Sequence, residues 1–216
     1  MPETEYYEAI IIGSGEDGKY LAWHLAQAGQ KVAVIERRWV GGSCPNINCL
    51  PSKNEIRSAG VAHTVRRAGA FGVVTGPVSV DMDRVVARKR AMVDALVAFH
   101  LERYRDTGAE LVMGSASLVG PKTIEVALND GGTRRFVAEK LFLNLGTHAR
   151  IPPVPGLAAS APLTHIELLE LDRLPGHLIV IGGGYVGLEL AQAYRRFGSR
   201  VTVIDHGPGL VSREDR

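Results

Sequence analysis

The stretch Ala9-Ile10-Ile11-Ile12-Gly13-Ser14-Gly15-Glu16-Asp17-Gly18 decides the fold of this chain of 216 residues. Four apolar residues lead directly into three glycines spaced G-x-G-x-x-G, a pattern typical of a buried strand, a tight turn and the start of a helix. The first glycine permits the turn, the second lets the backbone approach a ligand, and the third lets the helix pack closely on the strand. We therefore predict a βαβ unit at this end of the chain.

The same pattern returns 169 positions later along the sequence. A second apolar run, Leu178-Ile179-Val180-Ile181, is followed by Gly182-Gly183-Gly184-Tyr185-Val186-Gly187. The offset also relates Gly29 to Gly198 and Glu36 to Asp205. One glycine triplet is a weak signal, but a strand, turn, helix and terminal acid that recur in register are a strong one.

Each copy is typical of a dinucleotide-binding unit. The helix amino terminus offers unpaired N–H groups and the positive end of its dipole to phosphates, and the acid that ends the second strand can accept hydrogen bonds from ribose. Two βαβ units without ligands are the alternative, but such units do not need all three glycines. The candidate binding residues are Gly13, Ser14, Gly15, Gly18 and Glu36 in the first copy, and Gly182, Gly184, Tyr185, Val186, Gly187 and Asp205 in the second.

The first turn departs from the pattern because Glu16 and Asp17 place two carboxylates where a diphosphate would bind. Carboxylates suit a vacant helix amino terminus but repel a bound phosphate. We therefore expect that Glu16→Gln combined with Asp17→Ala leaves dinucleotide affinity equal or better.

The segment between the copies predicts two helices and three strands. The helices cover 52–69, with Ile56, Val61 and Val65 near one face, and 81–106, which Gly108 ends; the strands cover 110–118, 123–128 and 134–143. These elements predict an α/β fold with a Rossmann-like, doubly wound domain over 1–149. A connector over 150–174 and the first βαβ unit of a second nucleotide-binding domain over 175–216 follow.

Composition excludes several function classes. The net charge is +2 and the basic residues are scattered, which gives no nucleic-acid signature. No apolar run reaches the roughly 20 residues that cross a bilayer. The first eight residues lack the basic-then-apolar order of a signal peptide. We therefore expect a cytoplasmic protein with no nucleic-acid or membrane partner.

The two cysteines lie in Gly41-Gly42-Ser43-Cys44-Pro45-Asn46-Ile47-Asn48-Cys49-Leu50-Pro51-Ser52-Lys53. A disulfide between residues this close constrains little of the unfolded chain, so a redox role is favoured over a structural one. A zinc site is the alternative. Zinc normally takes four ligands, yet the sequence has no second cysteine pair and no histidines near the first. We expect no metal centre.

This cysteine segment resembles the active-site stretch of the class I pyridine nucleotide-disulfide oxidoreductases. The family includes dihydrolipoamide dehydrogenase, glutathione reductase and mercuric reductase, and the mercuric-reductase-like branch is the most similar. The resemblance implies that the first domain binds FAD and the second NAD(P)H. It also implies that Cys44 is the interchange thiol and Cys49 the charge-transfer thiolate beside the flavin. A helix amino terminus near Pro51 and a cation stabilise a thiolate, the reactive form of cysteine.

The resemblance assigns further roles residue by residue. Lys53 lies near the flavin N5, Glu189 pairs with Lys53, and Tyr185 covers the nicotinamide pocket. The carboxylate of Asp205 favours NADH over NADPH, because it repels a 2′-phosphate. Leu145 replaces the threonine of the family's Thr-Gly turn. Further FAD contacts are expected from Arg37, Gly42, Ser43, Lys53, Ala116 and Gly146.

The resemblance implies electron transfer from NAD(P)H through flavin to a Cys44–Cys49 disulfide and on to a disulfide or metal-ion acceptor. The chain stops at Arg216, ahead of the family's dimerisation domain, so a homodimer is expected only where that domain is present. The alternative is a truncated, non-catalytic fragment that binds dinucleotide. A flavoprotein oxidase or monooxygenase is a third interpretation, which the Pro-Ser-Lys cysteine motif disfavours.

Overall fold

The computed structural model describes residues 3–207 and 209–211. They pack into two units, a first unit of residues 3–46 and 93–148 and a second unit of residues 47–92, 149–207 and 209–211. The domain boundaries predicted at residues 149 and 174 divide the chain by the ligand that each part binds, and they stay a prediction. Among the described residues, none of the helices combines the length and the apolar character needed to cross a membrane.

The described residues form seven strands and six α-helices. The strands are β1 (Thr4–Ile12), β2 (Val32–Glu36), β3 (Glu110–Gly120), β4 (Thr123–Leu128), β5 (Thr133–Leu143), β6 (His177–Ile181) and β7 (Arg200–Ile204). The α-helices are α1 (Glu16–Gln27), α2 (Ser43–Asn46), α3 (Cys49–Arg66), α4 (Met82–Thr107), α5 (His165–Leu168) and α6 (Tyr185–Phe197). This confirms the predicted α/β class.

Strands β1 to β5 close into a ring in the first unit. β1 lies between β2 and β5 and is parallel to both, so that Ile10 pairs with Ala33 on one side and Leu141 on the other. β2 is also parallel to β3, whose later half pairs antiparallel with β4. β4 pairs in turn with the start of β5 and closes the ring.

The alternation of strand side chains builds two cores in the first unit. One face of β1 and β2 carries Ile10 and Ile35 into a cluster with Ile124 and Phe136. The opposite face carries Ile11 and its neighbours toward α1 and α4, in a cluster that includes Ala9, Val32, Val34, Ala22, Trp23 and Tyr104. Both faces of β1 and β2 are therefore covered, as the continuous apolar runs predict.

The second unit packs α6 against the parallel pair β6 and β7 and against α3. Its core contains Ala59 of α3, Met82 of α4, and Leu190, Tyr194 and Phe197 of α6. α5 begins with a capping box, in which the Thr164 hydroxyl accepts from the Ile166 N–H and the Glu167 carboxylate accepts from the Thr164 N–H.

The prediction for α3 is wrong in three respects, the first being its end, which lies at Arg66 rather than at residue 69. The helix begins at Cys49 rather than 52, because Pro51 sits within its first turn, where no N–H is needed. The buried face does not follow Ile56, Val61 and Val65, since Val61 is half exposed. It runs instead through Pro51, Ser52, Glu55, Ala59 and Ala62, where small residues let neighbouring helices approach. The other predicted helix, 81–106, matches α4 to within one residue, and Gly108 follows its end with φ +78°.

Candidate functional site

The two glycine turns repeat each other at the level of single hydrogen bonds. The Gly13 N–H donates to the Ile35 carbonyl at 2.8 Å, and the Gly182 N–H donates to the Ile204 carbonyl at 2.8 Å. Both glycines have positive φ, +103° and +106°, which favours glycine. The offset of 169 positions therefore describes a duplicated structure as well as a duplicated sequence.

The third glycine of each turn lets helix and strand meet. A side chain on Gly18 would place its Cβ 2.4 Å from the Gly13 carbonyl oxygen and 3.0 Å from Ile11. The Cβ of a residue at Gly187 would lie 2.9 Å from the Gly182 oxygen and 3.1 Å from Val180. These contacts are the close helix–strand packing that the motif predicts.

The helices after both turns have amino termini open to an anion. Gly15 and Gly184 are the residues before α1 and α6, and neither helix receives a side-chain hydrogen bond at its cap. The short α5, by contrast, has its cap filled by Thr164. The first N–H groups of α1 and α6 are thus available to phosphate oxygens, so both turns fit a dinucleotide diphosphate.

The acids that end the second strands are both held at their turns. Glu36 is buried and accepts hydrogen bonds from Ser14 N–H at 3.0 Å and Ser14 Oγ at 2.7 Å. Its other oxygen accepts from the Arg38 and Trp39 backbone. Asp205 accepts from the His206 N–H at 2.7 Å, and hydrogen bonds from His206 hold the pKa of Asp205 below its usual value. Each carboxylate is thus fixed beside its glycine turn.

Asn144 contacts the first glycine turn, a role that its place in the sequence did not indicate. Its Nδ2 donates to the Gly13 carbonyl at 3.2 Å and lies where a Cβ on Gly18 would project, 2.5 Å away. Its backbone N–H donates to the Ile12 carbonyl at 2.8 Å. Asn144 directly follows β5, which pairs with β1, and only that strand pairing brings it to the turn.

The cysteine segment spans the short helix α2 and the start of the long helix α3. Cys44 is half-buried within α2, and Cys49 is exposed as the first residue of α3. The Ser52 N–H donates to the Asn48 carbonyl at 2.9 Å, which starts the helix at Cys49. Cys49 is therefore in the first turn of an 18-residue helix, where helix N–H groups and the dipole favour an anion.

The second unit brings Lys53 and Glu189 together. Lys53 Nζ lies 2.6 Å from both carboxylate oxygens of Glu189, and both side chains are partly exposed. Tyr185 is the first residue of α6 and is 69% exposed. A cavity of about 610 Å³ borders this turn and is lined by Val186, Gly187, β6 and the segment 149–168.

The remaining candidates are distributed over the first unit. Gly42, with φ +79°, approaches Gly15 so closely that a Cβ would lie 2.4 Å from the Gly15 Cα. Gly42 thus lies beside the first turn, as a shared ligand would require. Ala116 pairs with Val126 inside the sheet, while the exposed candidates are Arg37, Ser43, Gly146 and the neighbouring Leu145. No cluster of His, Cys, Asp or Glu in the described part of the chain is arranged to hold a metal ion.

Comparison with known proteins decides the family. The model of the pyridine nucleotide-disulphide oxidoreductase family matches residues 7–216. The chain belongs to this family. Its fold also matches a solved structure, the Cu(II) complex of the HOCl-induced flavoprotein disulfide reductase RclA from Escherichia coli, with a TM-score of 0.84 and 33% identity. That match covers 98% of this chain and 45% of RclA.

Two curated relatives extend the comparison. The chain is 37% identical to mercuric reductase of Streptomyces lividans over 214 residues, which are 97% of this chain and 44% of that protein. It is 33% identical to dihydrolipoyl dehydrogenase of Bacillus subtilis, across 97% of this chain and 46% of the relative. The chain thus spans less than half the length of these members of its family.

Proposed function

We propose that this chain is the dinucleotide-binding part of an FAD-dependent oxidoreductase that passes electrons from NADH through flavin to Cys44 and Cys49. The observation that carries the proposal is the duplicated glycine turn, whose two copies share hydrogen bonds, glycine contacts and uncapped helix termini. The names of the relatives support a disulfide or a metal ion as the final acceptor.

The residues of the first unit hold FAD in this proposal. The N–H groups at the start of α1 bind the diphosphate, and Glu36 accepts hydrogen bonds from the ribose after releasing the Ser14 hydroxyl. Gly13, Gly15, Gly18 and Gly42 leave room for backbone to approach the cofactor. FAD supplies the acceptance of hydride and the transfer of two electrons.

The residues of the second unit control charge and access. Lys53 provides a cation and Glu189 fixes its orientation through two contacts of 2.6 Å. Cys49, at the start of α3, is the sulfur that lies next to the flavin, and Cys44 of the first unit is the thiol that attacks the acceptor. Tyr185, exposed at the second turn, covers the nicotinamide position and moves aside when NADH binds.

Flavin titration of the 216-residue protein tests this function. We expect purified protein reconstituted with FAD to gain long-wavelength absorbance after addition of two electrons. Cys49→Ser should abolish that absorbance, because the Cys49 thiolate is the donor to the flavin, whereas Cys44→Ser should retain it. The two variants match in chemistry and differ only in position. Equal loss in both variants, or none in either, contradicts the assigned roles.

NADH should bind at least tenfold more tightly than NADPH. The Asp205 carboxylate, kept charged by His206, accepts from a ribose diol but repels a 2′-phosphate. Fluorescence titration with each nucleotide measures the preference, and Asp205→Asn should reduce it. A protein that binds NADPH more tightly than NADH contradicts this role for Asp205.

Dinucleotide binding without turnover is the second candidate function. It is favoured by the coverage of only 44–46% of the curated relatives. A protein that takes up FAD and NADH but transfers no electrons to Cys44 and Cys49 supports this second function. A protein that takes up neither dinucleotide contradicts both.

A further inference from the structure

The first glycine turn differs from the second in its charge. Glu16, Asp17 and Lys19 all stand in the first turn of α1. The equivalent positions of α6 are uncharged, namely Tyr185, Val186 and Leu188. The packing of a βαβ unit of this kind therefore does not itself require a charged residue at any of the three positions.

Lys19 is buried although it is a lysine. Only 1% of the residue is exposed, and its Nζ lies 2.6 Å from Glu16 Oε1 and donates to the Gly41 carbonyl at 3.4 Å. An ammonium withdrawn from water is unfavourable unless partners compensate it. Leu188, at the same place in the second copy, would fill the space without that cost. Packing alone therefore does not explain why a charged residue occupies this position.

Glu16 is the residue that Lys19 compensates. It is the first residue of α1, and 46% of its side chain is exposed. Left alone, its carboxylate would face the open N–H groups of the helix and oppose a phosphate there. The contact with Lys19 joins the two charges into a neutral pair within one helical turn.

Among the described residues, Lys19 is the cation that forms an ion pair with Glu16. His100 lies against Gly41, where a Cβ would meet its Nδ1 at 2.4 Å. Burial, reinforced by the charge of Lys19 and opposed by that of Glu16, lowers the pKa of His100 and so favours its neutral form. Glu16 is therefore balanced by Lys19 and not by His100.

We propose that the Glu16–Lys19 pair is a charge-compensating device of the first dinucleotide turn, and that Lys19 sets the affinity of that turn for the FAD diphosphate. The proposal rests on the proposed function, because it assumes that this turn binds FAD. It explains how a phosphate-binding turn tolerates a carboxylate at its first helical residue. It also makes Lys19 a determinant of affinity that the glycine motif does not contain.

Four versions of the 216-residue protein test the pair: wild type, Glu16→Gln, Lys19→Met and the double variant. We expect Lys19→Met to weaken FAD binding by about tenfold or more at low ionic strength, because the Glu16 charge is then uncompensated. Glu16→Gln should bind FAD as tightly as wild type or more tightly. The double variant should return to within about threefold of wild type, and added salt should narrow all differences.

Fluorescence titration with FAD and chemical unfolding without FAD are measured on each protein. Leu188→Met is the matched control, since it places the same side chain at the equivalent position of the second turn without changing charge. Affinity that is lost equally in Lys19→Met and the double variant, in step with stability, assigns Lys19 a structural role and overturns the inference. A Glu16→Gln protein that binds FAD more weakly overturns it even where Lys19→Met does not fold.

The failure of the inference is distinct from that of the proposed function. Wild-type protein that takes up FAD while Lys19→Met binds it equally well overturns the inference alone. Wild-type protein that takes up no FAD overturns both the function and the inference.

Discussion

Replacing Glu55 with glutamine should raise the free energy of unfolding at pH 8 by about 3 kcal/mol and leave it nearly unchanged at pH 4.5. Glu55 is fully buried in α3, and neither carboxylate oxygen has a hydrogen-bond partner among the described residues. Burial raises the pKa of Glu55 to about 7; the charge of Lys89 opposes the rise and that of Glu170 adds to it. At pH 8 the native protein therefore holds a buried, unsatisfied carboxylate.

The direction of this stability change follows from the pKa of Glu55 in the unfolded and in the folded chain. In the unfolded chain Glu55 titrates near 4.5, and in the folded chain near 7. Between these values the folded protein binds more protons, so stability that is fully present below pH 4.5 is lost as the pH rises through 7. Glutamine does not titrate, and its amide resembles the protonated carboxyl in shape.

Neighbouring groups define the environment of Glu55. Lys89 of α4 is itself buried and donates to the Leu169 carbonyl and to Glu170, which Arg90 also contacts. Tyr194 of α6 donates to the Leu168 carbonyl at 2.7 Å, and burial, followed by the charge of Glu55, raises its pKa. These groups donate to other partners and none of them to Glu55, so its carboxylate receives no direct hydrogen bond from them.

Urea unfolding of wild type and Glu55→Gln between pH 4.5 and 8.5 measures the effect. Glu102→Gln, an exposed change in α4, is the control and should reproduce the wild-type profile. Parallel profiles for wild type and Glu55→Gln would show that the carboxylate is satisfied when ionised, contrary to this prediction.

The duplicated turn could be predicted because its determinants are local. Glycines at fixed spacing after an apolar strand impose the turn whatever surrounds it, and both copies formed as expected. Strands β3, β4 and β5 were predicted equally well. Gly120-Pro121 and Gly131-Gly132 interrupt them, and the observed β3, β4 and β5 agree with the predicted spans to within two residues.

Residues whose role depends on distant partners could not be predicted. Asn144 reaches Gly13 only because β5 pairs with β1. Lys19 donates to the Gly41 carbonyl, 22 positions away. The burial of Glu55 could not be predicted for the same reason. Hydrophobic periodicity favours the large residues Ile56, Val61 and Val65, whereas helix packing buries the face that carries small residues, and Glu55 lies on that face.

Gly13→Ala should destabilise the first unit by roughly 4 kcal/mol or more, far beyond what its backbone angle alone explains. A Cβ at Gly13 would lie 2.1 Å from the Asn144 carbonyl oxygen, an atom that is part of the backbone and held by the Asn144–Ile12 hydrogen bond. Gly29→Ala measures the cost of the positive φ alone. The φ of Gly29 is +85°, and a Cβ there would meet nothing within 4 Å among the described residues. Gly29→Ala should therefore cost only about 1–2 kcal/mol.

Gly182 is the duplicate of Gly13 in the second turn and therefore provides a second control. Its φ of +106° matches, yet a Cβ there would meet nothing within 4 Å in the described part of the chain, since β6 has no neighbour comparable to β5. Gly182→Ala should thus resemble Gly29→Ala in urea unfolding and not Gly13→Ala. An equal loss in all three variants would place the whole cost in the backbone angle. A large loss at Gly13 alone shows that the same turn is constrained differently by the strand beside it.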